Sequence, residues 1–173
     1  IGVTVVRDPG GTVIGDKIRE ILLDNAHGEM GVGCEVLLYM ASRAQLWAEK
    51  IGPALAQGRC VLGDRWLSST IAYQGVAGKI GRERIERVAE ASLERVWPDL
   101  TVILDLPAEA GLGRIERGLD RMEGKGAAFH NKVREGFLAL AEGRADFRVV
   151  EASGEVEVVA ARLQEVIAKY VAG

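Results

Sequence analysis

The stretch Gly58-Arg59-Cys60-Val61-Leu62-Gly63-Asp64-Arg65-Trp66-Leu67-Ser68-Ser69-Thr70-Ile71-Ala72-Tyr73-Gln74-Gly75 decides the fold. Its apolar run at residues 60–63 has the length of a strand and stops at an acid and an arginine, and the hydroxyls that follow suit the start of a helix. In an open α/β sheet, ligands gather in the crevice beyond the carboxyl ends of the strands, which puts Asp64 and Arg65 at its floor. A fixed planar cation beside a carboxylate suits a phosphate and its metal ion. The same two residues at a strand end are equally at home as a buried structural ion pair.

On the N-terminal side, residues 2–6 form a second buried strand, broken at Arg7-Asp8-Pro9-Gly10-Gly11-Thr12 by strong turn formers. Ile14, Ile18, Ile21 and Leu22 then give the 3.6-residue period of a helix. Residues 35–57 are helical too, with Pro53 marking a bend or break late in the pattern. Within it Tyr39 and Arg43 are four apart and share a helix face. A ring next to a guanidinium suits a flat base, and it also suits a tyrosine packed on an arginine stem.

On the C-terminal side, residues 82–96 read as an outer helix that ends at Trp97-Pro98, with Trp97 a packing residue. Residues 100–106 form a continuous apolar strand, which in the company of helices indicates a parallel sheet covered on both faces. Residues 114–126 interleave Arg114, Arg117, Arg121 and Lys125 with acids and glycines, either a mobile ion-paired segment or plain solvated loop charge. A helix with Phe129, Val133 and Phe137 on one face follows, then a short strand at 147–151 and a last helix with Val159, Leu163, Val166 and Tyr170 facing inward. The pattern is four strands alternating with helices, without repeats or linkers.

At 173 residues and 48% hydrophobic content, the chain supports one sizeable core and one domain. No run approaches the roughly 18 apolar residues of a membrane span, and no signal-peptide order opens the chain. The two cysteines, Cys34 and Cys60, have no CxxC spacing, and with only His27 and His130 beside them they do not suggest zinc. They read as reduced core residues of a cytoplasmic protein. A net charge of -3 argues against a duplex-binding face, so no nucleic-acid partner is expected.

The motifs, taken together and in order, resemble those of the bacterial thymidylate kinases. Arg7-Asp8-Pro9-Gly10-Gly11-Thr12 is similar to that family's Arg-Glu-Pro-Gly-Gly-Thr, and Leu37-Leu38-Tyr39-Met40-Ala41-Ser42-Arg43-Ala44-Gln45 to its Leu-Leu-Phe-x-Ala-x-Arg-Ala-Gln. Asp64-Arg65-Trp66 through Ala72-Tyr73-Gln74-Gly75 follows its Asp-Arg-Tyr, Ser-Ser or Ser-Thr, and Ala-Tyr-Gln-Gly series. Residues 119–123, Phe129-His130 and residues 133–137 match its lid and the helix behind the lid.

The resemblance implies a P-loop kinase-type α/β fold in three layers, a parallel sheet covered by helices on both faces, as a single domain over 1–173 with a lid at about 114–127. It implies phosphoryl transfer from MgATP to dTMP, giving dTDP and ADP for dTTP synthesis, by a cytoplasmic homodimer. In that scheme Arg65 clasps the acceptor's phosphate and Asp64 helps hold hydrated magnesium through water. Tyr39 stacks on thymine, Arg43 and Thr70 meet the base's polar edge, Tyr73 lies beneath the sugar, Gln74 also binds the substrate, and Arg7 and Pro9 border the pocket. Arg121, with Arg114 or Arg117, closes over the phosphates of ATP, and the turn at Ala152 lies near adenine. Catalysis of this kind rests on positioning and charge stabilisation without a protein nucleophile.

Departures from the family pattern are Tyr39 for phenylalanine, Trp66 for tyrosine, Ser42 and Leu46 for aspartate and histidine, and a short lid. The family's opening strand, Gly-x-x-x-x-Gly-Lys-Ser/Thr loop and helix are not in the sequence, whose first residue is Ile1. The reading therefore expects about 30 further residues upstream, the size of part of a βαβ unit, with their strand seated centrally in the sheet. The alternatives are a kinase for another nucleoside monophosphate and an inactive nucleotide-binding or scaffold protein.

Overall fold

The computed structural model describes residues 2–172. Four strands alternate with helices: β1 Val3–Arg7, β2 Cys60–Asp64, β3 Thr101–Asp105 and β4 Phe147–Glu151. The helices are α1 Val13–Leu23, α2 Val32–Leu46, α3 Gly52–Ala56, α4 Leu67–Thr70, α5 Arg82–Ser92, α6 Ala108–Gly113, α7 Ala127–Ala141 and α8 Val156–Ala172. α1 starts where the turn formers end, with Thr12 as an extended N-cap whose hydroxyl accepts from Gly15 N at 2.9 Å.

The strands are parallel, as the apolar runs predict, but they form two separate pairs. β1 pairs with β2 from Val3 opposite Cys60 to Arg7 opposite Asp64, and β3 with β4 from Thr101 opposite Phe147 to Asp105 opposite Glu151. Among the described residues no strand joins β2 to β3. The parallel pairing among helices agrees with the expected α/β class, and the described strands form two halves rather than one sheet. Val5 is 70% exposed and Leu62 54%, and both free cysteines, read above as core, are exposed. A buried strand needs a neighbour on each edge and a layer on each face, and β2 has a strand on one edge only.

Helices hold the two pairs together. Val36 and Met40 of α2, Leu67 of α4, Ile71, Ile85 and Ala89 of α5, Ile103 of β3, Leu140 of α7 and Phe147 of β4 share one buried cluster. Trp97 packs edge-on against Phe147 at 5.8 Å, the packing role its sequence context suggests. Ahead of Pro53, which cannot donate to the helical ladder, residues Trp47–Ile51 widen to π-helix, with Gly52 N reaching back to Trp47 O. A longer π-segment, Ile71–Ala77, continues α4 and contains the whole Ala72-Tyr73-Gln74-Gly75 motif.

α7 lies hard against that segment because position 136 has no side chain. A Cβ there would sit 3.1 Å from Val76 Cβ and 3.2 Å from Ala72 Cα. Gly136→Ala gains about 1 kcal/mol of helix propensity but incurs an overpacking cost of about 1–3 kcal/mol. We expect a net loss, read as a melting temperature lower by a few degrees. A melting temperature that rises would show that α7 is free to move away.

Candidate nucleotide site

The turn after β1, one face of α2, the end of β2, the π-segment and the segment before α7 enclose a cleft of about 570 Å³, its open mouth included. Pro9, Tyr39, Arg43, Arg65, Thr70, Tyr73 and Gln74, from three of the quoted motifs, line it together.

At its inner wall Arg43 is fully buried. Its Nε donates to Asp8 Oδ2 at 2.9 Å, its Nη2 donates to the same oxygen and to Thr70 Oγ1 at 3.1 Å, and its Nη1 meets Met40 Sδ at 3.3 Å. The guanidinium also lies 5.2 Å from the centre of the Trp66 ring. A buried arginine stripped of its acid is destabilising by about 3–5 kcal/mol, so Asp8 fixes Arg43 in place. Burial pushes the Asp8 carboxyl up, and the Arg43 guanidinium opposes that rise. Asp8 Oδ1 is buried without a hydrogen-bond partner. Ser42 Oγ accepts from Gly10 N at 3.0 Å, and Leu46 packs within reach of Gly11, so two departures from the family pattern support the loop that carries Asp8. Burial, helped by the Glu35 charge, pushes the Tyr39 hydroxyl up to about 12, and it keeps its proton at any working pH.

At the opposite end Arg65 opens onto solvent, with its backbone at φ +70°. A non-glycine residue held there stores about 1–3 kcal/mol of strain, a pattern concentrated at functional positions. Its guanidinium lies 5.4 Å from the centre of the Tyr73 ring. Tyr73 is in turn gripped edge-on by Phe129 at 6.2 Å, His130 at 6.0 Å and Phe137 at 6.3 Å. Asp64 is exposed at the last position of β2 and is not among the residues lining the cleft. Arg7 does not line it either and lies 3.8 Å from Asp16 across the surface.

The lid arginines separate into three situations. Arg114 Nη2 donates to Ala152 O at 3.4 Å and Gly154 O at 3.2 Å, bringing together the start of the lid and the turn expected near adenine. Arg117 forms an exposed two-pronged pair with Glu123 at 2.9 and 2.7 Å. Arg121, expected to close over phosphates, is only 8% exposed and turned the other way. Its Nε donates to Leu22 O at 2.8 Å, its Nη1 to Glu35 Oε1 at 2.6 Å, and its Nη2 meets Met122 Sδ at 3.6 Å. In this arrangement all three of its nitrogens are engaged by the protein, and it is not among the residues lining the cleft.

Several lining residues were not singled out in the sequence. Asp120, Met122 and Glu123 belong to the lid motif and form one wall, while Arg19 holds Pro9 O at 3.1 Å from α1. Asp8 stood inside a quoted motif, and its only signal was its place between Arg7 and Pro9. Glu35, buried behind the lid, carried no local signal at all.

The family model described as Thymidylate kinase matches residues 1–163 of this chain. The thymidylate kinase of Thermosipho africanus (strain TCF52B) is 39% identical over 166 residues, which cover 95% of this chain and 82% of that protein. The thymidylate kinase of Caldanaerobacter subterraneus subsp. tengcongensis is 42% identical, covering 98% of this chain and 82% of its own. That of Desulforapulum autotrophicum is 45% identical over 90% of this chain and 73% of its own length. With the family model spanning nearly all of it and these relatives aligned along the same residues, the chain belongs to the thymidylate kinase family.

Proposed function

We propose that this protein transfers the γ-phosphoryl group of ATP to dTMP, giving dTDP and ADP for dTTP synthesis. An oxygen of the dTMP phosphate attacks the γ-phosphorus, the bond to the β-phosphate oxygen breaks, and ADP leaves. The observation that carries this reading is the arrangement of one cleft: a buried, immobilised guanidinium and hydroxyl, Arg43 and Thr70, lie beside Tyr39, and an exposed guanidinium, Arg65, stands beyond Tyr73. A flat base with polar edge atoms fits the first group and a phosphate the second. Tyr73, wedged by three aromatic neighbours, supports the sugar between them.

Among the described residues no three His, Cys, Asp or Glu side chains converge as a metal cage. Mg²⁺ usually keeps several waters and takes one or two carboxylates together with substrate phosphates, and exposed Asp64 beside Arg65 fits that pattern through water. When bound, the ion neutralises charge between the β- and γ-phosphates. On the ATP side Arg114 and Arg117 are the lid cations with exposed reach, and the Arg114 contact supports a place for adenine near Ala152.

The unpaired edges of β2 and β3 support a fifth strand between them, completing one parallel sheet in a single kinase domain with its lid at about 114–127. Leu37, 62% exposed on α2, supports pairing of two copies through that helix, and sedimentation showing only monomer at micromolar concentration would count against it. We place the enzyme in the cytoplasm; among the described residues no helix is long and apolar enough to cross a membrane.

Competition binding with dTMP, dGMP and AMP tests the pocket: we expect dTMP to bind tightest, and equal affinity for all three would exclude a thymine-shaped site. Arg65→Lys tests the phosphate end. Lysine keeps the charge but loses the planar fork, so turnover of MgATP and dTMP should fall about tenfold or more, equivalent to about 1.4 kcal/mol. Thermal stability should change little, because the side chain faces solvent. Wild-type kcat and KM in the variant would remove Arg65 from the phosphate site, and unfolding would make the Asp64–Arg65 pair structural.

A further inference from the structure

Glu35, Tyr39 and Arg43 occur at four-residue intervals on α2 and so lie along one stripe of that helix. Tyr39 and Arg43 face the cleft. Glu35, one turn earlier, is 1% exposed, and both of its oxygens are engaged. Oε1 receives Arg121 Nη1 at 2.6 Å and Lys125 Nζ at 2.9 Å, both from the segment that walls the cleft. Oε2 receives Gln74 Nε2 at 2.8 Å, from the π-segment on the other side. Gln74 Oε1 is left buried without a partner, and Gln74 itself lines the cleft beside Tyr73.

Resting on the acceptor-site reading above, we propose that Glu35 is a positioning residue that seats segment 119–125 as a wall of the cleft and, through its second oxygen, aims Gln74 at the bound acceptor. The segment has few other ties to the rest of the chain. Arg121 N and Nε donate to Leu23 O and Leu22 O at the end of α1, and Asn25 Nδ2 donates to Leu119 O at 3.0 Å. Its other bonds run within it or to its flanks: Asp120 Oδ1 accepts from Met122 N and Glu123 N at 2.9 Å each, Glu123 pairs with Arg117 at 2.9 and 2.7 Å, and Glu123 O lies 3.3 Å from His130 Nε2. Among the described residues, Arg121 and Lys125 on Glu35 are the charged ties between this segment and α2, and Asp120, Met122 and Glu123 beside them face the cleft. Two cations on one carboxylate make that attachment mostly electrostatic, so removing the single negative charge releases both at once. On the other oxygen, a fixed amide donor on Glu35 leaves the Gln74 carbonyl as the free acceptor for a ligand hydroxyl. Arg121 is thereby an anchor, and the grip on phosphate within the lid falls to Arg114 and Arg117.

Glu35→Gln keeps the shape and removes the charge, and Lys125→Met removes one cation from a partly exposed position where folding is not at stake. Hydrogen exchange without nucleotide should quicken about tenfold or more at the amides of 119–125 in Glu35→Gln and less in Lys125→Met, with the amides of β3 and β4 unchanged. In steady-state assays KM for dTMP should rise about tenfold in Glu35→Gln, while KM for ATP stays within about twofold. Should Glu35→Gln fail to fold, the exchange and KM shifts of Lys125→Met decide the matter alone. A lower melting temperature with wild-type exchange at 119–125 and wild-type KM for dTMP would make the cluster a structural ion pair and overturn the proposal. Wild-type protein that does not bind dTMP would instead sink the acceptor reading, and the nucleotide-free exchange result would still judge whether Glu35 seats the segment.

Discussion

A guanidinium cut off from water must be matched by charge and hydrogen bonds, and among the described residues Arg43 is the largest fully buried side chain. Its partners come from the turn after β1 and from α4, so one buried ion pair locks the loop, helix α2 and the start of the π-segment into a single geometry. Those three pieces are the walls of the cleft. The arrangement is costly as pure stability, since a hydrophobic cluster of the same volume would serve as well. It makes sense as preorganisation: hydrogen-bonding groups already fixed in place need no ordering when a ligand arrives.

The same logic runs along the rest of the site at decreasing burial. Glu35, a turn before Tyr39, is matched by two lid cations and an amide. Burial alone would push its carboxyl up, but the bonds from Gln74, Lys125 and Arg121 more than reverse that, and it titrates below the ordinary carboxylate range. A carboxyl with a depressed native value contributes stability that is present above its unfolded value near 4.5 and is lost as pH falls through the native one. The cluster is accordingly intact at neutral pH. Arg65, at the open end, lies against the Tyr73 ring on a strained backbone, which suits its fork to a phosphate.

Much of this was legible along the chain. The apolar runs at 60–63, 100–106 and 147–151 each became a strand within a residue or two, because a short run bounded by charges and turn formers has few other ways to be buried. Tyr39 and Arg43 share the cleft as their four-residue spacing requires. What was not legible depended on distance or on backbone geometry. Cys60 opens an apolar run, yet it is exposed at the first position of β2, which its apolar neighbours in sequence do not report. Arg121 looked like a ligand-facing cation because its partner, Glu35, is 86 positions away. The π-segment and the φ of Arg65 leave no periodic trace, since both are conformations that ordinary propensities disfavour and tertiary packing imposes.

The account stands on one claim: this cleft holds a thymine nucleotide with its base at Arg43 and Thr70 and its phosphate at Arg65. A structure determined with dTMP bound tests it most directly. The account predicts the base against Tyr39 with its polar edge on Arg43 and Thr70, the sugar over Tyr73, and phosphate oxygens on the Arg65 fork. A nucleotide bound elsewhere, or bound here in reverse with phosphate at Arg43, would contradict it.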